Sequence, residues 1–245
     1  IPYQYDKFWK ENPFVDSHVP NDGEIIFSKI LDYYYDNINL ETIPEISTKN
    51  KKSEGFALLK DWDFSSYDLQ KEYLFEMVEN AIKKNKTCSN VLETTRGCPH
   101  TCAYCGWGGG INILVRKKSL NAIEKDVKVI NELKGKQLLI GDANFGMLKR
   151  DESVADLFVK NLNENNIIFY TPAKNQRSHI INIVIKLFKN NFINFHGFSI
   201  QDTNETVLKN IFRENLSIEQ QINIANQLKE QGIPIKTDII LGLPG

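Results

Sequence analysis

From residue 91 onward the chain alternates short apolar runs with amphipathic stretches, and no other feature limits its fold so tightly. Val91-Leu92-Glu93-Thr94-Thr95, Gln137-Leu138-Leu139-Ile140-Gly141, Ile167-Ile168-Phe169-Tyr170, Phe195-His196-Gly197-Phe198-Ser199-Ile200 and the run from Ile235 to Leu241 read as strands. Helix-length segments lie between them. Leu120, Ile123, Val127, Ile130 and Leu133 recur at helical spacing behind a capping Ser119. Val154, Leu157, Phe158 and Leu162 share one face of the next segment, and residues 178–189 are largely apolar. Ser217 and Gln220 have capping-box spacing before a helix through Ile222, Ala225 and Leu228. Strands joined by helices pair in parallel, because a helical crossover returns the chain to the same end of the sheet. The expectation is an α/β fold, a partial parallel (β/α) barrel, whose chemistry sits at the carboxyl ends of its strands.

The first of those strand ends runs into Arg96-Gly97-Cys98-Pro99-His100-Thr101-Cys102-Ala103-Tyr104-Cys105-Gly106-Trp107-Gly108-Gly109-Gly110. The spacing is C-x3-C-x2-C. Cysteine thiolates hold iron–sulfur clusters, and a cubane has four irons. Three cysteines in one loop leave one iron open to a small ligand, as a catalytic metal keeps a free position. The competing reading is a zinc site with His100 as fourth ligand, but the paired C-x2-C knuckles usual for zinc are not repeated in the chain. Cys88 stands alone and reads as an ordinary thiol. His18, His179 and His196 have no partner pattern and read as structural.

Composition closes several other routes. Lys plus Arg is 30 against 31 for Asp plus Glu, a net charge of -1, which gives no reason to expect a nucleic acid or an anionic membrane as partner. No apolar run approaches the roughly 20 residues that span a bilayer. The amino end, Ile1-Pro2-Tyr3-Gln4-Tyr5-Asp6, has no signal-peptide core. Three clustered cysteines out of four do not make a secreted disulfide framework, so a cytoplasmic setting is expected. A first residue other than Met and an end at Leu243-Pro244-Gly245 read as a piece of a longer chain.

Ahead of the alternating region, Asn12-Pro13-Phe14-Val15-Asp16 and Asn21-Asp22-Gly23-Glu24 precede an apolar helical run through Ile25, Phe27, Ile30 and Leu31. A polar stretch centred on Ser47 to Ser53 reads as an exposed linker. Residues 60–86 read as a loop and an amphipathic helix through Leu69, Leu74, Met77, Val78 and Ile82.

The loop C-x3-C-x-aromatic-C, at the end of a first strand in a parallel α/β chain, resembles the radical S-adenosylmethionine superfamily. The resemblance implies a 4Fe–4S cluster on Cys98, Cys102 and Cys105, with S-adenosylmethionine chelating the open iron and cleaved reductively there. It also implies cofactor contacts elsewhere. Asp142 falls where the superfamily often has Gly-Gly-Glu against the methionyl amine; the alternative is a turn-forming Asp. Ser199 and Gln201 resemble ribose and carboxylate contacts, and strand alternation would put them on one face. Arg213 matches an Arg that pairs with the cofactor carboxylate, for which a planar guanidinium suits; the alternative is a surface helix charge. Tyr104, through its backbone, and Gly242, in Ile239-Ile240-Leu241-Gly242-Leu243-Pro244-Gly245, resemble adenine-side positions. Lys174 could face the cofactor or stand in solvent.

Within the superfamily, Cys105-Gly106-Trp107-Gly108-Gly109, Gly141-Asp142-Ala143-Asn144-Phe145-Gly146 and Lys149-Arg150-Asp151 resemble the cobalamin-dependent methyltransferase branch. That implies cobalamin as a further cofactor, a small-molecule or peptide substrate, and an electron donor such as flavodoxin or ferredoxin. It divides the chain into 1–45 as the tail of a cobalamin-binding-type domain, 46–87 as linker and helix, and 88–245 as an incomplete radical core. The Asp-x-His-x-x-Gly cobalt-ligand motif does not occur in the chain. Two other readings stay open: a radical enzyme that does not methylate, and a non-catalytic iron–sulfur or zinc module.

Overall fold

Three helices of the alternating region begin where a short polar side chain, Ser119, Asn204 or Ser217, satisfies free backbone N–H groups. In the computed structural model, which describes residues 5–20, 22–36, 39–55, 58–59, 62–106, 114–133, 135–174 and 178–245, Ser119 accepts from Ala122 N–H and Ser217 forms the full capping box with Gln220. The chain divides into two compact units, Ile1–Trp62 and Asp63–Gly245.

In the first unit, α1 (Tyr5–Glu11) and α2 (Glu24–Asp36) accompany a small core of Ile26, Leu40, Ile43 and Ile46. Ile26, not the expected Ile25, Phe27 and Leu31, is the buried residue of α2; those three are exposed. The stretch expected to be an exposed linker is bound into this unit. Ser47 and Thr48 are buried, and Ser47 exchanges both backbone hydrogen bonds with His18, at 2.8 and 2.9 Å.

The second unit begins with α3 (Ser66–Leu69) and α4 (Lys71–Lys83), of which Val78 is the buried contact while Leu69, Met77 and Ile82 are exposed. There follow β1 (Ser89–Leu92), β2 (Thr95–Arg96), β3 (Arg116–Lys117) and α5 (Leu120–Glu132). Then come β4 (Gln137–Phe145), α6 (Asp151–Asn161), β5 (Ile167–Pro172), α7 (Ser178–Lys189), β6 (His196–Gln201), α8 (Glu205–Asn210), α9 (Ile218–Glu230) and β7 (Ile235–Ile239). Strands β1, β4 and β5 form one parallel ladder in the order β1-β4-β5; β6 and β7 form a second parallel pair. This is the expected parallel α/β architecture. Its core fills the space between β4 and the helices, with Leu138, Ile140 and Phe145 against Ile123, Ile130 and Phe158. Leu120 and Ile222, expected on apolar helix faces, are exposed instead. The expected first strand is split in two: Thr95 leaves the parallel ladder to pair antiparallel with Lys117, and Arg96 with Arg116. No helix among the described residues is long and apolar enough to cross a membrane.

Candidate active site at the cysteine loop

The β2–β3 ladder is the neck of the cysteine loop, which leaves it at Gly97 and returns at Arg116. Gly97 has φ +91, a left-handed conformation that a Cβ would strain. Cys98 and Cys102 are buried, Cys105 is half-buried, and all three are free thiols. A turn bond from Cys105 N–H to the Cys102 carbonyl (3.0 Å) folds the loop, and Ala103 N–H donates to the Ile211 carbonyl (3.0 Å). Trp107, Gly108 and Gly109, which carry part of the resemblance to the methyltransferase branch, lie outside the described residues.

Arg213 is the hub on one side of the thiols. It is buried, and its Nη1 donates to the Tyr104 hydroxyl oxygen at 2.6 Å and stands 3.9 Å from Cys102 Sγ. Nη2 donates to the Ser199 carbonyl, and Nε to Asn215 Oδ1 at 2.8 Å. The reading of Arg213 as a surface charge is thereby excluded. A Schellman turn at the end of α8 delivers it: Phe212 N–H bonds the Lys209 carbonyl (3.1 Å) and Arg213 N–H the Leu208 carbonyl (2.9 Å), with Phe212 at φ +52. Burial pushes the Tyr104 phenol up, against the opposing pull of Arg213. Arg213, Tyr104 and Ser199, each expected as a cofactor contact, therefore touch one another, Tyr104 through its hydroxyl and Ser199 through its carbonyl.

Asn144, on β4, serves the other side. Its Nδ2 is 3.0 Å from Cys98 Sγ, and its Oδ1 accepts from Lys174 N–H at 3.3 Å. Sequence reasoning did not single out Asn144. Its signal was its place two residues after Asp142 in the same strand end, but a bulge between Ile140 and Phe145 hides which of these side chains meets the cysteines. Asp142 itself is buried at 3% exposure and accepts from Thr94 N–H (2.6 Å) and the Thr94 hydroxyl (2.5 Å). Burial pushes its carboxyl up to about 6, against the hydrogen bonds from Thr94 and from the Thr95 backbone.

At β6 the strand does not alternate regularly. The register shifts between Phe198 and Gln201, and Gln201 sits at φ +67, so Ser199 and Gln201 are not successive residues of one regular face. Asn215 ties this end down by donating to the carbonyls of Ile200 (2.8 Å) and Asp202 (3.1 Å). Gly242, at φ +81, lies in the exposed segment after β7, with open space around its Cα.

A cavity of about 660 Å³ adjoins the loop, lined among others by His100, Lys174, Lys209, Phe212 and Arg213. That volume lies within the range of small-ligand sites. Burial pushes both the Lys174 ammonium and the His100 imidazole down. A zinc site would converge four donors on one ion at about 2.0–2.3 Å. Among the described residues no three His, Cys, Asp or Glu side chains are grouped to hold a single ion, and His100 lines the cavity. Three free thiols, with an amide donor on one sulfur and a guanidinium near another, supply the ligand type that an iron–sulfur cluster requires, since its ligands must be thiolates.

Residues 92–245 match the family model described as "Radical SAM superfamily". Two curated relatives are each 24% identical over 255 aligned positions, covering all of this chain: the cobalamin-dependent radical SAM methyltransferase TokK of Streptomyces tokunonensis and the 2-(S-pantetheinyl)-carbapenam-3-carboxylate methyltransferase of Streptantibioticus cattleyicolor. The chain spans 37% of the length of either relative. The fold is also that of the radical S-adenosylmethionine methyltransferase TsrM from Kitasatospora setae, solved with tryptophan and an S-adenosylmethionine analogue. The TM-score is 0.68 at 10% identity, covering 100% of this chain and 48% of that one.

Proposed function

Because this chain belongs to the radical S-adenosylmethionine superfamily, we propose that it cleaves S-adenosylmethionine reductively at a 4Fe–4S cluster on Cys98, Cys102 and Cys105, in the service of cobalamin-dependent methyl transfer to a peptide or natural-product precursor. The observation that carries the first part is the loop itself: three free thiols, two of them buried, with Asn144 and Arg213 against their sulfurs and a ligand-sized cavity alongside. When bound, the cluster supplies the electron that splits the sulfonium and yields a carbon radical; that chemistry belongs to the cofactors.

The protein's own residues hold and tune. Asn144 and Arg213 place N–H donors toward sulfur, which stabilises the thiolate form over the thiol. Through Tyr104 and Ser199, Arg213 also fastens the loop to the end of β6. Lys174 brings a half-buried cation to the cavity, suited to a ligand carboxylate. Methylation and cobalamin rest on the relatives named above, of which this chain matches only part; reductive cleavage also calls for an external electron donor such as flavodoxin or ferredoxin.

Anaerobic reconstitution with iron and sulfide, followed by reduction in the presence of S-adenosylmethionine, is the test. The full-length protein is expected to form 5′-deoxyadenosine, and none after complete cluster uptake would overturn the reading. Methylated product made only with cobalamin present would support the methyltransferase assignment; a modified but unmethylated product would redirect it to a non-methylating radical enzyme.

A further inference from the structure

The neck of the cysteine loop carries a denser set of hydrogen bonds than closing a loop requires. Thr94 is fully buried, and each of its polar groups is taken. Its N–H and hydroxyl donate to the two Asp142 oxygens, at 2.6 and 2.5 Å. Its carbonyl accepts from Lys118 N–H at 3.0 Å and from Arg150 Nη2 at 2.6 Å. The same guanidinium also donates to Thr95 Oγ1 (3.0 Å) and, through Nη1, to the Lys118 carbonyl (2.9 Å). Arg150 therefore spans both strands of the neck. Asp142 comes from β4 and Arg150 from the entry to α6, so one β/α unit grips the base of the loop from two sides.

What this grip fixes is the offset between the loop and β4. Two residues beyond Asp142 on that strand, Asn144 meets Cys98, four residues beyond Thr94. A carboxylate suits the grip because both Thr94 groups facing it are donors, and only an acceptor-only side chain satisfies both. An Asn there would turn an N–H₂ group toward one of them.

We propose that Asp142 and Arg150 are positioning residues that act through Thr94 to lock the neck of the cysteine loop to β4, and so set Cys98 against Asn144. The proposal rests on the reading of the loop as a cluster site. It takes the place of the expected role of Asp142, contact with the methionyl amine, since the side chain is buried at 3% exposure and both its oxygens face Thr94.

The test uses the full chain, reconstituted anaerobically, as wild type, Asp142→Asn, Thr94→Val, the double variant, Thr94→Ser and Arg150→Lys. Readouts are iron per chain, the electron paramagnetic resonance spectrum of the reduced cluster without and with S-adenosylmethionine, and thermal unfolding of the metal-free protein. Asp142→Asn and Thr94→Val are each expected to retain the cluster roughly tenfold less well, the cost typical of losing an outer support of a metal ligand, and to alter the spectrum before S-adenosylmethionine is added. Arg150→Lys is expected to do the same, and Thr94→Ser to match wild type. The double variant is expected to be no worse than either single, because both cut one link. Should Asp142→Asn fail to fold, Thr94→Val, which removes only a hydroxyl, carries the test. Wild-type iron content and spectrum in both Asp142→Asn and Thr94→Val would overturn the positioning role, as would strictly additive losses. No cluster in the wild type would instead overturn the site reading beneath it.

Discussion

The two parallel ladders of the second unit differ in how much of them residues 1–245 cover. In β1-β4-β5 the inward residues Leu92, Leu138, Ile140 and Phe145 are at most 2% exposed and covered by helices. In β6-β7 the covered strand is β6, while β7 leaves Lys236 to Ile239 exposed, Ile239 at 65%. The cysteine loop springs from the β2–β3 neck that follows β1 of the covered ladder; of the candidate cofactor contacts, Gln201 ends β6 and Gly242 follows β7. Both ladders are irregular near their carboxyl ends, with the bulge of β4 beside the thiols and the register shift of β6 at Gln201, so what separates them is cover rather than regularity.

The largest contrast should come from the two ends themselves. Cys98→Ala, at the end of the covered ladder, is expected to abolish cluster uptake and 5′-deoxyadenosine formation together. Gly242→Ala, at the open end, is expected to keep the cluster: its positive φ costs on the order of 1 kcal/mol, but no atom stands within 4 Å of the new methyl. Iron analysis and product chromatography on the pair would break the comparison if Gly242→Ala lost the cluster too.

Packing gives the next contrast. Phe158 is completely buried against Phe145, so Phe158→Ala is expected to cost about 3–5 kcal/mol. Ile239→Ala, on a side chain 65% exposed, should stay within about 0.5 kcal/mol. Chemical denaturation with matched slopes measures both. Comparable losses would show that β7 is packed in solution in a way this structure lacks.

How far the sequence could be read follows the same division. The covered ladder was legible because burial imposes a period: Leu138 and Ile140 alternate, Ser119 caps, and Ile123, Val127 and Ile130 repeat at helical spacing. The cysteine loop was legible because its chemistry fixes both residue type and spacing. Asn144, Thr94 and Arg150 were not, since Asn, Thr and Arg serve equally well in turns and on surfaces, and only three-dimensional convergence on Cys98 and the neck gives them a role. At β6 the reading of Ser199 and Gln201 as one face assumed a regular strand, and the register shift removed that premise. In the first unit, polarity suggested a linker at Ser47 and Thr48, but both are buried and their polar groups are bonded within the unit.

Acid should expose the cost of the neck. Asp142 titrates at about 6 in the fold against 3.8 for the unperturbed group. Burial of the charge outweighs the hydrogen bonds that the ionised carboxylate accepts, so the fold binds this proton more tightly than the unfolded chain does; the ionised grip costs stability, a cost absent below 3.8 and complete as pH rises through 6. At roughly 1.4 kcal/mol per unit, wild type should gain on Asp142→Asn by up to about 3 kcal/mol as pH falls across that window. Parallel stability profiles of the two metal-free proteins between pH 7 and 4 would refute this.

The smallest expected effect lies in the backbone of the open ladder. Gln201 ends β6 in the left-handed region at φ +67, where a side chain costs about 1–2 kcal/mol. Gln201→Gly removes that cost but frees the unfolded chain by roughly 0.5–1 kcal/mol, so a net gain of about 0.5 kcal/mol is expected. Gln201→Ala keeps the strain and drops the side chain, and so separates backbone from contact. If the glycine variant gains stability while both variants lose S-adenosylmethionine affinity, the strain serves ligand binding through the Gln201 side chain. If the glycine variant melts below the alanine variant, Gln201 does not hold this conformation, and the irregular end of β6 is no more strained than the covered ladder beside it.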